Sequence, residues 1–145
     1  MNEPIITWYL IDSDDSTVLE KQNYIGDYNL SSSEMTLHLQ VWNNKFGNYT
    51  VSNIENPILN IMFSTIEDNS MLKYIKVKVD NNDYEPLNVL SEKGTLNIYR
   101  TLSGEPNNGS LEESSNYIDL RIKIEKINYK ILNGLKSMIL DITYL

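Results

Sequence analysis

The stretch Met35 to Gly47, MTLHLQVWNNKFG, decides how this chain folds. Met35, Leu37, Leu39 and Val41 are apolar at every second position, with Thr36, His38 and Gln40 between them. Successive side chains of a strand point to opposite sides, so this spacing predicts a strand with one face buried. Trp42 closes the run, and Asn43-Asn44-Lys45-Phe46-Gly47 has the residues of a turn.

Upstream, Ile5 to Ile11 (IITWYLI) is apolar on both parities except Thr7, as expected for a strand covered on both faces or lying near an interface. Asp12 to Ser16 carries the short polar side chains of a turn, and Thr17 to Leu19 begins a second short strand. Tyr24 to Leu30, with Gly26, Asp27 and Asn29, reads as loop or irregular edge. Downstream, Tyr49 to Val51 is expected to pair back as a hairpin partner before Asn53 to Asn56 interrupts it.

Pro57 suits the first position of a strand, and Ile58 to Phe63 follows as a largely buried run. Ser64 to Ser70 is a polar connection with room for a helical turn, after which Ile75, Val77 and Val79 alternate with Lys76 and Lys78. Asp80-Asn81-Asn82-Asp83 closes that strand with turn chemistry. Leu87 and Val89, then Leu96 and Ile98, flank Glu92-Lys93-Gly94 as a hairpin. Ser103 to Asn116 (SGEPNNGSLEESSN) is a long exposed loop, and Ile118, Leu120, Ile122 and Ile124 mark another half-buried strand. Asn133-Gly134 is a favoured two-residue turn between Tyr129 to Leu132 and the apolar end of the chain.

No stretch has the pattern of a long amphipathic helix, because polar loops recur every few residues between β-branched runs. The expectation is an all-β single domain over residues 1–145. An antiparallel β-sandwich of jelly-roll or immunoglobulin-like type is the first choice, and a Greek-key barrel the second.

The chain has 145 residues and no Cys, which excludes disulfides, thiolate metal sites and a cysteine nucleophile. Its net charge of −8 argues against a nucleic-acid backbone as partner, since that contact depends on Lys and Arg neutralising phosphates. Residues 1–68 hold ten acidic and two basic side chains, whereas 69–145 hold ten of each. An acidic half beside a neutral one suits head-to-tail packing of like subunits or docking on a basic partner. The start, Met-Asn-Glu-Pro, lacks a positive region ahead of Ile5 to Ile11, and no apolar run approaches membrane-spanning length, so synthesis in the cytoplasm without membrane contact is expected.

Few residues point to chemistry. His38 is the only histidine, on the outward parity of its strand, and no G-x-S-x-G motif accompanies it. Asp12, Asp14 and Asp15, with Asp27 near, offer oxygen ligands for Ca²⁺ but lack the glycine and distal glutamate of an EF-hand loop. Twenty acidic residues leave paired carboxylates for glycoside hydrolysis conceivable, yet nothing singles out two of them. The expectation is therefore no catalytic residue, no metal and no cofactor. The aromatics Trp8, Tyr9, Trp42, Phe46 and Tyr49 cluster near strand ends, and on one exposed face they would anchor a protein partner or stack on a sugar ring.

The strand ending in Trp42-Asn43-Asn44-Lys45-Phe46-Gly47, in a small Cys-free β chain rich in Asn, Ile, Lys and Tyr, resembles the accessory structural proteins of tailed bacteriophages of low-GC hosts. The resemblance implies a β-sandwich that decorates or joins parts of a capsid, neck or tail through edge and loop contacts, with other virion proteins or its own copies as partners. It also implies a place in the virion and carries over no catalytic residue. Open sheet edges completed by a neighbour's strand would serve such assembly. The leading expectation is thus a non-enzymatic assembly protein acting as an oligomer or lattice subunit. A module binding cell-surface glycan or protein ranks second, and a hydrolase third.

Overall fold

The computed structural model describes residues 2–11, 16–18, 24–29, 35–63, 71–90, 92–124 and 135–144, with only the backbone for 16–18, 24–29, 35 and 135–138. One sheet has six strands in the order β2 (Ser16–Val18), β1 (Ile6–Ile11), β4 (Met35–Asn43), β12 (Tyr117–Ile124), β7 (Ile75–Val79) and β8 (Glu85–Pro86). A second has five, ordered β3 (Tyr24–Asn29), β13 (Leu135–Thr143), β6 (Ile58–Phe63), β10 (Lys93–Asn97) and β9 (Asn88–Leu90). A small third sheet pairs β5 (Ile54–Glu55) with β11 (Thr101–Leu102). Every pairing within these sheets is antiparallel.

Hairpins join β1 to β2, β7 to β8 and β9 to β10, and the other connections between the two large sheets cross from one layer to the other. The protein is all-β and antiparallel, as the alternation predicts, and consistent with a sandwich; no closed barrel forms. Among the described residues no helix is long and apolar enough to cross a membrane.

The period-two pattern places the core. On β12 the burial alternates strictly, with Ile118, Leu120, Ile122 and Ile124 inside. Across the ladder these pair with Val41, Leu39, Leu37 and Met35 of β4. Trp8 of β1 sits opposite Val41 on the same inner face. Leu59, Ile61 and Phe63 of β6 and Leu140 and Ile142 of β13 belong to the same apolar cluster. Burying such side chains is the main favourable term in folding, about 1.5 to 3 kcal/mol for each large one.

Two expectations fail. Tyr24 to Asn29 is a strand, β3, although Gly26, Asp27 and Asn29 favour a loop. β3 is an edge strand whose ladder is made entirely with β13, and the register slips there between Met138 and Ile139. Pairing to a neighbour outweighs intrinsic preference, and glycine is common where a ladder is irregular. Tyr49 to Val51 does not form a hairpin with the organising strand, because Val51 makes only an isolated parallel bridge to Asn2 and donates its N–H to Gly104 O. The polar link 64–70, the turn at Asn133-Gly134 and the aspartates Asp12, Asp14 and Asp15 lie outside the described residues. A single 3₁₀ turn occupies residues 71–74, just ahead of β7.

Candidate functional site

The outward face of β4 is where the sequence and the fold part company. His38, Gln40 and Trp42 point away from the core, yet Gln40 is only 5% exposed and Trp42 is fully buried. The register explains the cover. Trp42 lies between Thr7 of β1 and Tyr117 of β12, and Gln40 between Tyr9 and Asp119. The Tyr117 ring stacks on the Trp42 indole with centroids 4.7 Å apart and planes 23° from parallel. Its hydroxyl donates to Leu111 O at 2.9 Å, which ties the long loop 103–116 onto the sheet.

A chain of side-chain hydrogen bonds runs along this face. Trp42 Nε1–H donates to Gln40 Oε1 (3.2 Å), and Gln40 Nε2–H donates to Asp119 Oδ1 (3.3 Å). The same Oδ1 lies 2.6 Å from His38 Nε2. Asp119 N–H donates to Asp80 Oδ1, and Asp80 pairs with Arg100. Burial raises the Tyr117 hydroxyl above its usual pKa; Asp119 and then Asp80 push it the same way, and Arg100 pulls it back.

Past Trp42 the chain turns sharply, and asparagine amides hold the turn. Asn43 Nδ2 donates to Ser52 O while its Oδ1 accepts Ile5 N–H. Asn44 Nδ2 reaches both Tyr49 O (2.8 Å) and Gly104 O (2.9 Å). Asn116 shares its two amide hydrogens among the carbonyls of Asn43, Ser103 and Glu105. Asn107 Nδ2 donates to Asn44 O at 2.7 Å, and its Oδ1 accepts the N–H groups of Phe46 and Gly109. These amides satisfy the backbone groups of two irregular loops that have no ladder to join, which is how a 14-residue loop stays in place without secondary structure.

The turn is strained where it is most exposed. Asn44 (φ 62°) and Phe46 (φ 59°) both have left-handed backbones. Asn tolerates that region, but for a bulky residue it is a real outlier. Phe46 is 66% exposed, and its ring lies against Gly109, where a Cβ would fall 2.3 Å from Phe46 Cε1. Gly109 itself has φ +77°, so no other residue fits that position without strain.

Lys45, between the two left-handed residues, folds back over the sheet. Its Nζ sits 3.9 Å from the centroid of the Tyr9 ring, 4.6 Å from Trp42 and 5.4 Å from Phe46. All three distances are within the roughly 6 Å reach of a cation–π contact. Among the described residues no carboxylate lies at ion-pair distance from it. Burial lowers its pKa below the usual lysine value.

The five aromatics named from sequence are therefore split. Trp8 is in the inner core and Trp42 is buried on the outer face, half-buried Tyr9 forms one wall of the lysine cage, and Phe46 and Tyr49 remain exposed. His38 meets one carboxylate, Asp119, at the site. Among the described residues no three His, Asp or Glu side chains gather as a metal cluster. Two open clefts flank this region. One, of about 210 Å³, lies by Asp80, Asp83, Glu85 and Arg100; the other, of about 370 Å³, lies within the loop by Glu105, Asn107, Asn108 and Glu113. Sequence reading missed Lys45, Tyr117 and the asparagine frame. The one available signal was the density of Asn around positions 43–56 and 107–116.

In comparisons with known proteins the chain matches no family model, no curated sequence and no solved structure.

Proposed function

We propose that this chain is a non-enzymatic assembly protein, a virion component that works through protein–protein contacts made by the turn beyond β4 and the loop 103–116. The observation that carries this reading is Phe46: an exposed aromatic ring held on a left-handed backbone by Asn107 and Gly109. Left-handed backbone costs a non-glycine residue about 1 to 2 kcal/mol, and an exposed ring adds no core packing. Such a cost persists where the side chain meets something outside the chain. Aromatic anchors of this kind dominate binding energies at protein interfaces. Tyr49, 52% exposed, and Leu111, 51% exposed, extend the apolar character of the same end.

The substitution Phe46→Gly separates anchoring from folding, because glycine adopts the same φ without strain. The variant should unfold at the same temperature as the parent or higher. Its self-association by light scattering, or its retention on particles from the native source, should fall by about tenfold or more. A parent chain that stays monomeric at high concentration and is retained on no particle would sink the proposal, as would a variant that associates like the parent. A monomer whose tryptophan fluorescence responds to one free sugar would move the reading to glycan binding, for which the polar cleft beside Gly109 is the natural seat.

A further inference from the structure

We infer that the Tyr9, Trp42 and Phe46 rings form a receptor for a lysine or arginine side chain of a protein partner, with the chain's own Lys45 as the resident occupant that the partner displaces. The inference rests on the assembly reading for the identity of the partner and adds the chemistry by which that partner is recognised.

The cage demonstrably suits a cation, because it already surrounds one on three sides. Ring faces are the negative ends of their quadrupoles, and partial removal from water strengthens their pull on an ammonium or guanidinium group. Its walls are fixed before any partner arrives. Trp42 is clamped by the Tyr117 stack on one side and by the bond from its indole N–H to Gln40, and Phe46 by the Asn107 frame. Preorganised walls lower the ordering cost of binding.

The occupant is held less firmly than the walls. Lys45 contacts the cage through its ammonium alone among the polar contacts of the described residues, and burial disfavours its charged form. A lysine stem carries high rotamer entropy, so releasing it to solvent offsets part of the cost of ordering the newcomer. Charge runs the right way as well. The first 68 residues, which supply all three rings, hold ten acidic side chains against two basic ones, so a basic segment is drawn toward this half. Exposed Phe46 and Tyr49 at the rim give the backbone of that segment an apolar surface to lie on.

Displacement has a direct readout in the unaltered protein. N-acetyl-lysine amide, added at increasing concentration, should shift the Trp42 indole N–H resonance and leave that of Trp8, which faces the opposite core, in place. At saturation it should speed acetylation of Lys45 by a soluble anhydride severalfold, measured by peptide mass spectrometry, because the displaced amine enters solvent. N-acetyl-norleucine amide, of the same length without the charge, should do neither. Lys45→Ala, which empties the cage, should bind the lysine probe about tenfold more tightly than the parent. Lys45→Met, which fills the cage with an uncharged side chain, should bind it no better than the parent.

The inference is overturned if the norleucine probe acts like the lysine probe, or if the parent shows neither the Trp42 shift nor faster Lys45 acetylation. It is also overturned if Lys45→Ala folds but binds no more tightly than the parent. All these measurements use the isolated chain, so their failure leaves the particle-association test of the assembly reading standing on its own result.

Discussion

The two faces of β4 solve burial in opposite ways. Inward, Leu37, Leu39 and Val41 meet only aliphatic and aromatic neighbours and need nothing but contact. Outward, Gln40 and Trp42 are nearly as well buried, but they are kept there by directed bonds to Asp119 and by the stacked Tyr117. The inner face draws on a non-directional term proportional to area, so one hydrophobe can replace another at modest cost. The outer face depends on named donors and acceptors, so removing one partner leaves another unpaired. A surface of the second kind is specified in detail, which is the property a recognition site requires.

The largest effect should come from the inner face. Leu39 is fully buried, with Leu10 and Leu120 as its ladder partners on either side. Leu39→Ala should cost about 2 to 5 kcal/mol of unfolding free energy, read from the urea midpoint at constant slope. A cost below about 1 kcal/mol would mean that the sheets are not packed on each other at this point, and the contrast between the faces would disappear.

Next comes the turn. Asn44 offers its amide hydrogens to two carbonyls while sitting at φ 62°. Two substitutions separate those roles. Asn44→Asp keeps the shape but turns a carboxylate toward Tyr49 O and Gly104 O, and should cost about 3 kcal/mol. Asn44→Gly loses the same bonds but gains a backbone at ease with positive φ, and should cost about 1 kcal/mol. Equal losses would show that the amide bonds do not hold the loop 103–116, and that the outer face is simply a second hydrophobic patch. Differential scanning calorimetry of the pair decides it.

The same contrast explains what could be read from sequence. The core was legible because alternation is a local signal: Leu37, Leu39 and Val41, or Ile118 to Ile124, announce their face within a few residues. The outer cluster was not. Trp42 looks like an exposed residue at a strand end until Tyr117, 75 positions later, is laid on it by the β4–β12 ladder. Asparagine was read as turn chemistry, and part of its work is local. However, the carbonyls reached by Asn43, Asn44 and Asn107 include Leu102, Gly104 and Asn44, about 60 residues away in the chain. β3 was misread for the same reason, since its strand character comes from β13 and not from its own residues.

The smallest effect is electrostatic and sets the two residues on either side of Trp42 against each other. Lys45 has its pKa lowered by burial, so below 10.5 there is a range in which the unfolded chain binds this proton and the folded one does not. Through that range stability rises with pH. Tyr117 has its pKa raised, by burial and then by Asp119 and Asp80, so above 10.0 the folded chain keeps a proton that the unfolded one releases, and stability falls with pH. In the parent the two slopes oppose each other. Lys45→Met removes the rising contribution, so its urea midpoint should fall more steeply than the parent's as alkaline pH is approached. Tyr117→Phe removes the falling one, and its midpoint should fall less steeply. The other lysines and tyrosines are common to all three proteins and drop out of the difference. If both variants tracked the parent, neither side of the Trp42 ring would be shielded from solvent, and the idea of a cage that is built to hold a cation would lose its physical basis.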